Sequence, residues 1–291
     1  MTEELSIPEL GKQQREKRRA EQKVKLPALK LMIATPFYLQ QEFSHYGDSM
    51  FETARLLAYT GVEFEKQSLN GDSYIDRAKN TIVANFLESD CTDLLMIDSD
   101  MKWHPDSVGR MLRHTQEIVA GFFPFKNNWG QFAGALMPDE KGSVPDVNTA
   151  IELWDASCLL KAYLLPGGFL RIKRSVLERF ADHYPDVVYQ DPFADPSKPD
   201  RVYTAFFECL IHNHMRFGED ATFCRRMREM GVDLWCDPNI TFTHYGIKGY
   251  TGNYHESLLK SPEEIDAIIA ERKALADAVT ATQVEVESCE S

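Results

Sequence analysis

No run of the chain approaches the roughly 18 to 20 consecutive apolar residues that a membrane-spanning helix needs, and no C-x-x-C pair occurs among its six cysteines. The first absence argues against a spanning segment. The charged, polar start of the chain also lacks the apolar stretch of a secretory signal, so a cytoplasmic location is expected. Cys91, Cys158, Cys209, Cys224, Cys236 and Cys289 fall at irregular spacings, which argues against a structural zinc site and a disulfide framework and leaves most of them as small core residues. Positive charge is scarce as well. Lys and Arg number 32 against 45 Asp and Glu, a formal net charge of −13. That balance works against a general binder of nucleic-acid backbone, because such binding is carried by basic residues that displace counterions. Lys12 to Arg19 is the local exception, and it reads as a solvated or partly helical tail.

What the sequence does contain is core: 43% of its 291 residues are hydrophobic, enough for one large α/β domain. Leu29 to Ala34 reads as a buried strand that breaks at Thr35-Pro36 into a polar, aromatic loop. A helix over Ser49 to Tyr59 is closed by Gly61, and Val62 to Ser68 alternates as a second strand. Ile75, Ala78, Ile82 and Phe86 recur at helical spacing before another apolar run begins at Leu94. A helix near Pro105 to His114 and a strand over Ile118 to Phe123 continue the alternation. The expected boundaries are a basic flexible or helical tail over 1–27, the main domain over 28–255, and an acidic C-terminal helix and tail over 256–291.

Leu94-Leu95-Met96-Ile97 has no polar alternation, as in a strand covered on both faces, and it stops at Asp98-Ser99-Asp100. Ligands of open α/β sheets bind at the carboxyl ends of strands. Two like charges this close call for a cation or a shared proton. Oxygen ligands suit Mg²⁺ or Mn²⁺ held together with substrate phosphates, which points to a diphosphate. The plainer reading is a strand end in which Asp100 caps the next helix and Asp98 is solvated.

Further clusters lie downstream. Leu165-Pro166-Gly167-Gly168-Phe169 reads as a tight turn feeding a strand, either ordinary or traversed by a ligand. Phe217-Gly218-Glu219-Asp220 places two acids at a helix N-terminus, where the helix dipole favours them in any case. Trp235 to Gly246 reads as a strand ending on His244 before a turn. His212 and His214 belong to a strand or turn just before Gly218. The proline-rich segment from Tyr184 to Val202 is too polar for core and reads as a lid or a passive insertion. Trp103, beside Lys102, fits either a ligand cover or the core.

The order Ala34-Thr35-Pro36, Asp76-Arg77-Ala78-Lys79-Asn80, Asp98-Ser99-Asp100, Gly167-Gly168-Phe169, Gly218-Glu219-Asp220 and Thr243-His244-Tyr245-Gly246 resembles the GT-A nucleotide-sugar-dependent glycosyltransferases, in particular the group similar to family 2, over about Lys30 to Tyr254. The resemblance implies a GT-A type, Rossmann-like fold: a mixed, mainly parallel sheet flanked by helices in a single large domain. It implies a divalent ion, Mn²⁺ or Mg²⁺, on Asp98 and Asp100, with Asp100 the more direct ligand and His244 the third. Thr35, Pro36, Asp76 and Arg77 would line the nucleotide pocket, Asp72 would meet base or ribose, and Asp98 and Ser99 would face the donor. Arg77 or Lys248 would add a cationic clamp. By similarity to inverting members, Asp220 would be the general base and Glu219 would orient or contact the acceptor. The acceptor would be a saccharide, a protein or a small molecule rather than modified nucleic acid. Phe37 and Tyr38 stand where small and acidic residues usually follow the proline, so the donor base is left open. The competing readings are a catalytically silent nucleotide-sugar-binding module and an aspartate-based phosphatase or phosphotransferase.

Overall fold

The computed structural model describes residues 6–21, 29–38, 41–127, 130–138, 159–192, 195–258 and 270. The expected C-terminal helix and tail fall almost wholly outside them, as do Cys158 and Cys289. The first half of the chain runs α1 (Ile7–Glu21), β1 (Lys30–Phe37), α2 (Ser44–Thr60), β2 (Glu63–Asn70), α3 (Ile75–Glu88), β3 (Asp93–Ile97), β4 (Met101–Trp103), α4 (Asp106–Arg113), β5 (Ile118–Gly121) and β6 (Ala135–Leu136). The second half runs β7 (Leu160–Leu164), β8 (Phe169–Lys173), α5 (Arg174–His183), β9 (Val188–Gln190), β10 (Val202–Thr204), β11 (Leu210–His212), β12 (Met215–Phe217), α6 (Glu219–Glu229), β13 (Leu234–Asp237), β14 (Thr241–Tyr245), β15 (Gly249–Asn253) and α7 (Tyr254–Leu258). None of the described helices is long and apolar enough to cross a membrane.

Eight strands form one mixed sheet in the order β2-β1-β3-β8-β5-β13-β7-β6. Six of them share one direction, and only β8 and β7 run against it. The strands are apolar at successive positions because both faces are covered. Leu31, Ile33, Leu95 and Ile97 face a core with α2 and α4, whereas Met32, Ala34, Leu94 and Met96 face a core with α3, α5 and α6. Each buried leucine, isoleucine or methionine side chain among them contributes about 1.5–3 kcal/mol.

Several boundaries differ from the sequence reading, for physical reasons. β1 continues through Pro36 to Phe37. It stays paired with β2 to Asn70, but its pairing with β3 ends at Ala34, so beyond that point one side of the strand has no ladder bond for a missing N–H to break. α2 begins at Ser44 because Tyr46 is fully buried, a tertiary gain that overrides weak local propensity. The segment read as one strand before His244 is two. Asp237 turns its carboxylate inward to accept from His114 Nε2 (2.7 Å), Arg110 Nε (2.5 Å) and the N–H of Asn239 (3.0 Å), and Pro238 ends the ladder.

The N-terminal segment takes the helical of its two expected forms over Ile7–Glu21, and that helix is docked on the body. Gln14 of α1 donates to the Asp200 carbonyl (2.8 Å) and accepts from the N–H of Val202 (3.1 Å). The proline-rich segment is anchored correspondingly, since β9 and β10 pair antiparallel under α1. Trp103 is core, its indole N–H donating to Thr53 Oγ1 at 2.9 Å. Cys91, Cys224 and Cys236 are buried thiols, while Cys209 is exposed.

Candidate functional site

Asp98 leaves the end of β3 opposite the turn that enters β8. Its N–H donates to the Gly168 carbonyl (3.0 Å), continuing the antiparallel register in which Ile97 faces Phe169. Neither glycine of that turn has a positive φ, so close approach is what requires them. A Cβ on Gly167 would lie 2.3 Å from Lys79 Nζ, and one on Gly168 would lie 2.7 Å from Asp98 Oδ2.

After Asp98 the chain crosses to a smaller sheet, β15-β14-β4, in which Met101 faces His244. The Tyr245 N–H donates to the Asp100 carbonyl (2.8 Å), so the acid turn and the histidine are joined through backbone. His244 Nδ1 is 3.0 Å from the Pro124 carbonyl, an acceptor that holds a proton on Nδ1 and turns Nε2 toward the aspartates. Nε2 faces Asp100 Oδ1 at 3.4 Å. That oxygen is buried and makes no hydrogen bond of good geometry. The other oxygen, Oδ2, is paired with Lys126, whose stem passes Gly246.

The acids at the start of α6 reach the same place through Lys79. This lysine, 3% exposed, donates to Asp220 Oδ1 (2.6 Å) and Glu219 Oε1 (3.1 Å). The Gly167 N–H donates to Asp220 Oδ2 (2.8 Å). Burial pushes the Asp98 carboxyl up, Lys79 opposes that, and Asp100 and Asp220 reinforce it, leaving the group at about 6. Burial also acts against ionised Asp100 and Glu219. His244 and Lys126 outweigh it at Asp100, Lys79 outweighs it at Glu219, and both stay below the usual carboxylate range.

The structure thus brings Asp98, Asp100, His244, Glu219 and Asp220 together, with half-buried Ser99 in the turn between the first two. Asp72, Asp76 and Arg77 form a separate group at the start of α3. Arg77 grips Asp72 through Nε (2.9 Å) and Nη2 (2.8 Å), and Asp76 accepts from the Arg77 N–H (2.8 Å). Arg77 lines clefts of about 630 and 670 Å³, Asp72 the first and Asp76 the second. Thr35 is not at the cluster: it is fully buried and its hydroxyl is bonded to Tyr46 Oη at 2.7 Å. Pro36 lies within β1 opposite Leu69. Lys248 is exposed in the β14–β15 turn, over the Tyr250 ring. His212 and His214 belong to an exposed hairpin whose turn residues, Asn213 and His214, both have positive φ.

Lys79 and Lys126 were not anticipated as members of the site. Lys79 had a signal, a lysine at i−3 and i−4 from Ile82 and Val83 on the buried stripe of α3. Lys126 had none.

Two carboxylates and an imidazole with its second nitrogen satisfied are a donor set that fits a divalent first-row ion, and the unbonded Asp100 Oδ1 supplies an open coordination point. Among the described residues the one trio with all ligand atoms within 4.8 Å is instead Glu65, Asp90 and Cys91. The ligand atoms of Asp98, Asp100 and His244 therefore do not all lie within that distance of one another in this structure. The Glu65 trio is already neutralised, because Lys30 lies 2.5 Å from Glu65 and is also paired with Asp90, and burial pushes the Cys91 thiol up.

No protein-family model matches the chain, and neither does any curated protein. Among solved structures, one described as A197 from STIV is 14% identical and superposes with a TM-score of 0.43, covering 75% of this chain and 86% of its own.

Proposed function

We propose that this protein transfers a sugar from a nucleotide-diphosphate donor to an acceptor hydroxyl, with Asp98, Asp100 and His244 holding Mn²⁺ or Mg²⁺ beside the diphosphate. The observation that carries this reading is the buried, unbonded Asp100 Oδ1 facing a histidine nitrogen whose partner nitrogen is already satisfied. Such an ion, when bound, neutralises charge that develops on the leaving oxygen. His244 is held by Pro124 in the tautomer that ligates, and Lys126 balances Asp100 until a cation replaces it. Asp220, fixed by Lys79 and Gly167, is assigned as the base that takes the acceptor proton, with Glu219 beside the acceptor. A base-assisted direct displacement inverts the anomeric centre. Asp72, Asp76, Arg77 and Ser99 are assigned to the donor side, and Lys248 to a clamp that reaches inward from its turn. The acceptor is a saccharide, protein or small molecule.

A second reading has its own support. Both Asp220 oxygens already accept hydrogen bonds, as befits a silent module that binds a nucleotide sugar without transferring it. Thermal shift with nucleotide diphosphates and nucleotide sugars, each with and without Mn²⁺, tests the common premise, since a ligand of the native state raises apparent stability. A metal-dependent shift with one nucleotide is expected, and its absence in folded protein removes both readings. Sugar release in the presence of acceptor, lost in Asp100→Ala and in Asp220→Asn, then separates transferase from module.

A further inference from the structure

Exposed apolar side chains gather where the acid cluster opens. Ile211 is 77% exposed and Met215 60% in the β11–β12 hairpin, which leads directly into Glu219 and Asp220. Ile247, in the β14–β15 turn just after His244, is exposed over its whole side chain. Phe125 and Phe43 stand beside them. Phe125 precedes Lys126, the partner of Asp100, and Phe43 stacks on Tyr245 with ring centroids 5.9 Å apart. Single apolar residues on a surface are ordinary, but a group of them around one opening marks a contact face.

The charge of these segments narrows what the face meets. Residues 123–127, 210–217 and 246–249 contain Lys126, Arg216 and Lys248 and no acid, in a chain of net charge −13. Lys126 is committed to Asp100, whereas Arg216 and Lys248 are exposed. In the hairpin Ile211 lies directly opposite Arg216, so an apolar and a basic side chain share one face of the ladder. Apolar tips with cations beside them match the boundary between acyl chains and phosphate headgroups, where a long basic side chain keeps its charge in the polar layer. Screening over about 8 Å at physiological ionic strength lets these tips act locally although the whole molecule is acidic.

We propose that the protein docks on an anionic phospholipid surface through the mouth of the acid cluster, with Ile211, Met215 and Ile247 entering the acyl boundary and Arg216 meeting lipid phosphates. Docking in this orientation turns the cluster toward groups carried by the surface. It does not depend on the glycosyl-transfer reading.

The test is flotation of the full-length protein with vesicles of phosphatidylcholine alone and of phosphatidylcholine mixed with phosphatidylglycerol, with hydrogen exchange as second readout. Flotation with the mixed vesicles is expected, together with less on phosphatidylcholine alone and less at high salt. Exchange should slow in residues 210–217 and 246–249. The double variant Ile211→Ser, Ile247→Ser changes only exposed side chains and should bind the mixed vesicles at least tenfold more weakly. Tyr59→Ser, at the far end of α2, should bind as wild type does. No flotation of folded wild-type protein with either vesicle, undiminished binding by the double variant, or protection that leaves out both segments overturns the docking. Binding to a protein acceptor without flotation would assign the face to a protein partner instead and overturn it equally.

Discussion

Lys79 holds the acid cluster together. It is a buried cation touching Glu219 and Asp220 and acting through space on Asp98. Removing one partner of a buried pair leaves an uncompensated charge at a cost of about 3–5 kcal/mol. Lys79→Met is therefore expected to lower stability by about that amount at neutral pH, measured by denaturant unfolding. Asp237 carries a pH prediction. Burial works against its charge, His114 and Arg110 outweigh that, and its folded pKa is depressed. Its stabilisation is present above the unfolded value of about 3.9 and is lost as pH falls through the lower folded value. Melting curves of Asp237→Asn should be lower than wild type at pH 7 and should converge on it in acid. An unchanged gap at low pH would assign the loss to packing instead. The paired aspartates were legible because an apolar run ended on them. Lys126 was not, since its partner is 26 positions away and nothing local marks it.

The Gly167-Gly168 turn and the start of α5 show how elements are fixed by contacts that sequence spacing does not record. Gly168→Ala puts a methyl against Asp98 Oδ2 and the Phe123 ring, so weaker Mn²⁺ binding with a retained far-ultraviolet spectrum is expected. Titration calorimetry of Mn²⁺ checks this, and wild-type affinity would show that the turn gives way freely. Arg174, nearly buried, donates to the carbonyls of Phe86, Leu87, Ser89 and Cys91 and so collects the open end of α3. Arg174→Met is expected to destabilise by at least 2 kcal/mol, roughly one buried charge-assisted hydrogen bond. α3 and β3 were legible from periodicity and an unbroken apolar run. β4 was not, because three residues carry no period, and its pairing with β14 is the contact that brings His244 to the aspartates.

The molecule is a mostly parallel sheet between two helical layers, and that much followed from the alternation of apolar runs and helical stripes. The reversal of β8 between β3 and β5 did not, because side-chain alternation is the same in either strand direction. Leu95, central in the sheet, tests the two-sided core. Leu95→Ala should cost about 2–5 kcal/mol in denaturant unfolding, whereas a surface-like cost under 1 kcal/mol would mean the α2 face collapses around it. The reversed strand also divides the site mechanically. One wall, made of Asp98, the glycine turn and Asp220, is stitched by main-chain N–H groups and cannot shift without breaking the sheet. The facing wall, Lys126 and the β14–β15 turn, is tied to the acid turn by a single main-chain bond, Tyr245 N–H to the Asp100 carbonyl, and beyond it by the Lys126 ion pair. Any opening and closing around a guest therefore belongs to that second wall, and the first serves as the anvil.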